Sequence, residues 1–179
     1  DTFCPLNGSP KAVTAIIFDK SEQYNEDQVS DIRASFKFWL AGDKSPLKND
    51  PIELSFFEEG NLIQLYVTDE AILRESKGLT PKEQLCVPKD FKDAKGWIDN
   101  PALLERSYQR FANTFIESIN ELLVESEGKS PIMETFLRLS NSSSFLEFPE
   151  VPHNIFIVSD MLQHSDLYSH YRSAKGEGL

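Results

Sequence analysis

The chain has 179 residues, 40% hydrophobic and 26% charged, with a formal net charge of −11. That length suits one domain able to bury a core without staples, and the proportions are those of a globular protein. The acidity excludes nucleic acid as a partner, because phosphate binding needs clustered Lys and Arg, and no run of eighteen apolar residues is present to cross a membrane.

The first predicted element is a strand over Ala12 to Phe18, Ala-Val-Thr-Ala-Ile-Ile-Phe, apolar throughout and therefore expected to be covered on both faces. It stops at Asp19. After a short polar loop from Lys20 to Tyr24, Asn25 and Gln28 stand at capping-box spacing. They predict a helix whose apolar face carries Val29, Ile32, Phe36, Trp39 and Leu40, with Gly42 just past its end. Trp39 is expected in the core.

Ile52 to Phe57 and Leu62 to Val67 are strand-like runs joined by Glu58-Glu59-Gly60-Asn61, which predicts an antiparallel hairpin. Residues 69–99, interrupted by Pro81 and Pro88, are expected to be an irregular insertion, with Trp97 packing it against the body. Asn100-Pro101 opens a long helix striped by Leu104, Tyr108, Phe111, Phe115, Ile119 and Leu122. Ser130-Pro131 is expected to open another in the same way, carrying Ile132, Met133, Phe136, Leu137 and Leu139. A second β-branched run, His153 to Ser159, again ends on an aspartate, Asp160.

Buried-type strands separated by helices predict an α/β, Rossmann-like three-layer sandwich. Its central sheet is mainly parallel with one antiparallel edge strand, has helices on both faces, and spans residues 1–179 as one domain. Ligands of such sheets bind beyond the carboxyl ends of the strands, where Asp19 and Asp160 both fall.

Those strand ends carry a resemblance. Asp19-Lys20-Ser21-Glu22-Gln23, Ser130-Pro131 and Asp160 are similar to the metal-ion-dependent adhesion site of the von Willebrand factor A group. That site combines an Asp-x-Ser-x-Ser loop after the first strand, a Thr from a middle loop and an Asp after a later strand. Asp19 and Ser21 match the first two positions, and Ser130 is a hydroxyl substitute for the Thr. Asp160 matches the last aspartate, while Gln23 departs from the second Ser. The resemblance runs from about Val13 to Asp160. It implies Mg²⁺ or Mn²⁺ at Asp19, Ser21, Ser130 and Asp160, with Gln23 as a further candidate. It also implies a non-enzymatic module that takes an acidic group of another protein at an open metal position. Gln163 and His164 would lie beside it and shape partner access.

Other readings of the same residues are a metal-free scaffold of the same fold and a metal-dependent phosphoesterase centred on Asp19. The latter rests on a faint similarity to aspartate-nucleophile phosphatases, which need a second acid where Ser21 stands. No nucleophile elbow, phosphate loop or dinucleotide fingerprint occurs. His164 and His170, six residues apart, do not have zinc-site spacing. Cys4 and Cys86 are expected as two free thiols. The Asp1 start and the Ser173-to-Leu179 end suggest that a segment upstream was removed and that the C-terminal end is frayed or cut short, which leaves room for an anchor elsewhere.

Overall fold

The computed structural model describes residues 4, 8–20, 23–41, 57–68, 79–90, 94–124 and 129–160. Among these residues four strands form one sheet in the order β3-β2-β1-β4: β1 is Val13–Asp19, β2 Leu62–Thr68, β3 Glu83–Cys86 and β4 His153–Val158. β1 runs parallel to both β2 and β4, and β2 runs antiparallel to β3. β1 and β2 are buried along their whole length, which is why their sequences are apolar without alternation.

Alternate residues of the central strands serve two cores. Ile16, Phe18, Ile63 and Leu65 pack with Phe36 and Leu40 of α1 (Glu26–Leu40) and with Phe111, Phe115 and Ile119 of α2 (Pro101–Val124). Val13, Ala15, Ile17 and Tyr66 face the other way, toward Leu139 of α3 (Ile132–Leu139) and Phe145 of α4 (Ser143–Leu146). The result is an α/β sandwich with helices on both faces, as expected. Two polar side chains of the second core, Tyr66 and Gln64, are satisfied internally. The Tyr66 hydroxyl donates to Gln64 at 2.8 Å, and the Gln64 amide donates to the Ser144 carbonyl at 2.9 Å.

α1 begins with the predicted capping box, Asn25 and Gln28 each accepting the other's backbone N–H at 2.9 Å. α2 begins at Pro101, with the Asn100 side chain accepting from the Ala102 N–H at 3.1 Å. The two helices are tied by the Tyr108 hydroxyl, which donates to the Leu40 carbonyl at 2.6 Å.

Several expectations are corrected. The antiparallel neighbour of β2 is β3 rather than the run at 52–57, of which only Phe57 is described. β3 therefore lies inside the stretch expected to be irregular, bounded by Pro81 and Pro88, and the buried Leu79 packs into the second core beside it. Trp97 does not pack that stretch to the body: it is 88% exposed, on a turn closed by the Ile98 and Asp99 N–H groups donating to the Lys95 carbonyl. β4 is less buried than β1 and β2: it is the outer strand among the described residues, with Asn154 and Ile155 exposed, while Phe156 and Val158 pack against the first core and Ile157 against the second. The two thiols are not free, because Cys4 and Cys86 form a disulfide across 82 residues that fixes residue 4 to the end of β3. Gly42 lies outside the described residues, and α1 is closed by Ala41, whose N–H donates to the Lys37 carbonyl. No described helix is long and apolar enough to cross a membrane.

Candidate functional site

A parallel sheet delivers the carboxyl ends of β1, β2 and β4 to one edge of the molecule. The register sets Asp19 level with Thr68, and the last β1–β4 pair, Phe18 with Val158, leaves Ser159 level with Asp19. Odd-numbered residues of β1 face the α3 side, so the Asp19 side chain turns toward the segment leading into α3. There Ser130, fully buried, donates its hydroxyl proton to Asp19 Oδ2 at 2.7 Å. Ser159 donates to the same oxygen, also at 2.7 Å. Asp19 itself is 4% exposed. Three segments far apart in the sequence thus meet on one carboxylate oxygen.

Ser130 does not start α3 as Asn100 starts α2. The cap residue of α3 is Pro131, no side chain caps the helix, and the Ser130 hydroxyl serves Asp19. The Ser130 hydroxyl gives its proton to a charged acceptor, which makes this bond stronger than one between neutral groups.

Around this centre the groups are polar and close. Thr68 is fully buried, and its Oγ1 has no hydrogen-bond partner among the described residues. The Lys20 N–H donates to the Thr68 carbonyl at 3.3 Å, carrying the β1–β2 ladder one residue further, and Lys20 is 5% exposed. The Tyr24 hydroxyl donates to the Val158 carbonyl at 3.0 Å. Burial first, then the negative charges of Asp19 and Asp160, push the Tyr24 phenol well above its ordinary value near 10. Asp160 and Gln23 are exposed and line, with Asp19, Tyr24 and Ser159, the mouth of a cleft of about 460 Å³.

Of the residues expected at a metal, Asp19 and Ser130 are in direct contact, and Asp160 and Gln23 stand at the same cleft mouth. Ser21, Gln163 and His164 lie outside the described residues. Ser159 and Thr68 were not anticipated. Counting the parallel register one step past Phe18 and Val158 would have found Ser159; Thr68 required knowing that β2 ends beside β1.

Carboxylate and hydroxyl oxygens are the ligand type that small hard cations take. Among the described residues no group of three or more His, Cys, Asp or Glu could hold a metal, so carboxylates alone do not form the site. Hydroxyls would have to contribute. A serine that gives its proton to Asp19 keeps two lone pairs for an ion. Ser130 and Ser159 each lie 2.7 Å from one oxygen, so their hydroxyls are at most twice that distance apart. Ligands on an octahedral ion with bonds of about 2.1 Å stand roughly 3 to 4 Å from one another. Thr68, level with Asp19 in the register, has a buried neutral hydroxyl with no hydrogen-bond partner among the described residues. Mg²⁺ and Mn²⁺ take such oxygens, whereas structural zinc sites are built from Cys sulfur and His nitrogen.

Compared with known protein families, characterised proteins and solved structures, the chain matches none.

Proposed function

We propose that the chain is a non-enzymatic protein-interaction module that holds Mg²⁺ or Mn²⁺ at Asp19, Ser21, Ser130 and Asp160. The ion would present an open position to a carboxylate of a partner protein. What supports this reading is the convergence of two hydroxyls, from Ser130 and Ser159, on one buried oxygen of Asp19 at the carboxyl ends of the sheet. Two hydroxyls and one or two carboxylates leave a divalent ion short of neutrality, and an acidic chain meets an acidic group most readily across a cation.

One observation favours a second reading, a metal-free scaffold of the same fold. Asp19 Oδ2 already accepts two hydrogen bonds, so the buried carboxylate is held without an ion. Thermal melting in Mg²⁺, Mn²⁺ and EDTA separates the two. An ion at one hundred times its dissociation constant is expected to add about 2.7 kcal/mol, and Asp19→Ala is expected to abolish that gain. A wild-type melting point indifferent to both metals and to chelation would leave only the scaffold. The metal-loaded protein is also expected to release no phosphate from generic esters, which distinguishes the module from a phosphoesterase centred on Asp19.

A further inference from the structure

β2 ends on a buried hydroxyl, that of Thr68. Alternation along β1 turns Val13, Ala15 and Ile17 toward the second core, and Asp19 with them, where Ser130 meets it. Alternation along β2 turns Leu62 and Tyr66 toward the same core, and Thr68 follows them. The parallel register pairs Thr68 with Asp19, so the two side chains stand next to each other on one face, on strands about 4.8 Å apart. Ser130 and Thr68 are fully buried and Asp19 is nearly so.

Among the described residues, Thr68 Oγ1 has no hydrogen-bond partner. The other buried serines and threonines each have one. Thr14 accepts from the Asn154 amide, Ser130 donates to Asp19, Thr135 donates to the Pro131 carbonyl, and Ser142 donates to the Leu79 carbonyl. Withholding a hydroxyl from water without a replacement costs about 1 to 3 kcal/mol, and a valine would fill the same space without that cost. The exception falls at the carboxyl end of a parallel strand, where sheets of this kind take their ligands. An orphaned polar group buried next to a carboxylate there is explained by a ligand that it meets.

We propose that Thr68 Oγ1 is a direct oxygen ligand of a divalent ion, an assignment that rests on the reading of Asp19 as the centre of a metal site. A lone pair of the hydroxyl supplies a hard, neutral oxygen of the kind that Mg²⁺ and Mn²⁺ take. Thr68 approaches from β2, on the opposite side of Asp19 from β4 and Ser159, so the site draws on both neighbours of the central strand. Its neutrality matters as well. An aspartate at this position would neutralise the ion inside the protein, whereas a threonine leaves that charge for an acidic group of the partner.

The test replaces Thr68 in the full chain and reads ion binding directly. Mn²⁺ is titrated into protein stripped with EDTA and dialysed, and the electron paramagnetic resonance signal of the free ion is followed. Thr68→Val is expected to weaken Mn²⁺ about tenfold or more, while Thr68→Ser, which keeps the oxygen, stays within about twofold of the wild type. Thr68→Cys exchanges a hard oxygen for a soft sulfur. It is expected to lose Mn²⁺ and to gain Cd²⁺ relative to the wild type, seen as the ultraviolet charge-transfer band of a cadmium thiolate. Melting in EDTA checks that each variant folds, and the Ser and Cys variants decide the matter by themselves if the Val variant does not. Wild-type Mn²⁺ affinity in Thr68→Val, a loss in Thr68→Ser as large as in Thr68→Val, or a Thr68→Cys that keeps Mn²⁺ and gains no Cd²⁺ would overturn the ligand assignment while leaving an ion at Asp19 in place. No binding of Mn²⁺ by the wild type would overturn both.

Discussion

Asp19 accepts two hydrogen bonds on one oxygen, and each donor comes from a different segment. Removing either donor leaves a buried anion less well solvated, so Ser130→Ala or Ser159→Ala is expected to cost about 1.5 to 3 kcal/mol in urea unfolding. Because the two donors share an acceptor, the double variant should not equal the sum of the singles. Thr68 presents the opposite case. Its buried hydroxyl has no partner among the described residues, so the near-isosteric Thr68→Val is expected to raise stability by about 1 kcal/mol in EDTA. In Mg²⁺ the gain should shrink if the hydroxyl meets the ion. Tyr24 sets an alkaline limit. Its phenol titrates higher folded than unfolded, so its contribution is complete below about pH 10 and is lost as pH rises toward the folded value. Tyr24→Phe should therefore flatten the fall of stability above pH 10, while costing about 1 kcal/mol at neutral pH for the lost bond to Val158. At this scale the residue types at strand and helix ends singled out Asp19 and Ser130, which meet in a hydrogen bond, and Asp160, which lines the neighbouring cleft. The sequence hid Ser159 and Thr68, because hydroxyl side chains are common everywhere and only the register shows which ones meet a carboxylate.

The elements that were legible are those whose signals are local. Asn25 with Gln28 and Asn100 with Pro101 are chemical statements about a helix start within four residues, and both helices begin where those statements place them. Asn25→Ala is accordingly expected to cost about 1 kcal/mol, measured by urea melts. β3 was not legible. It is four residues long, half of them Glu83 and Gln84, and Pro81 and Pro88 punctuate it as they would a loop. Proline is nevertheless tolerated just beyond the ends of an outer strand, where no ladder bond is lost. What anchors this short strand is long-range: pairing with β2 and the Cys4–Cys86 bond. A bridge closing a loop of 82 residues restricts the unfolded chain by about 4.5 kcal/mol in the chain-entropy account. Cys4→Ser with Cys86→Ala, or reduction of the wild type, should lower the melting temperature by a corresponding amount. Two isolated cysteines carry no spacing rule, so nothing local announced the pairing.

For the molecule as a whole, the class of fold followed from two apolar strands that end in aspartate with amphipathic helices between them, and the parallel pairing of β1 with β2 and β4 accords with that. Which strand stands outside was not legible, since Ile155 to Val158 reads like a strand buried on both faces. Its outer position has a colloidal consequence. An apolar strand at the margin of a sheet on a neutral protein invites the edges of other copies, and here a counterweight is electrostatic: a net charge of −11 with a sequence pI near 4.7. Long-range repulsion of that kind is screened within about 8 Å at physiological ionic strength and vanishes near the isoelectric point. The protein should therefore stay dispersed in dilute neutral buffer and self-associate as the pH approaches 4.7, with light scattering as the measure. Ile155→Lys, a blunting charge on the edge itself, should suppress that association more than a lysine placed on the far side of α2. Dispersal at neutral pH would then belong to the charge of the whole surface.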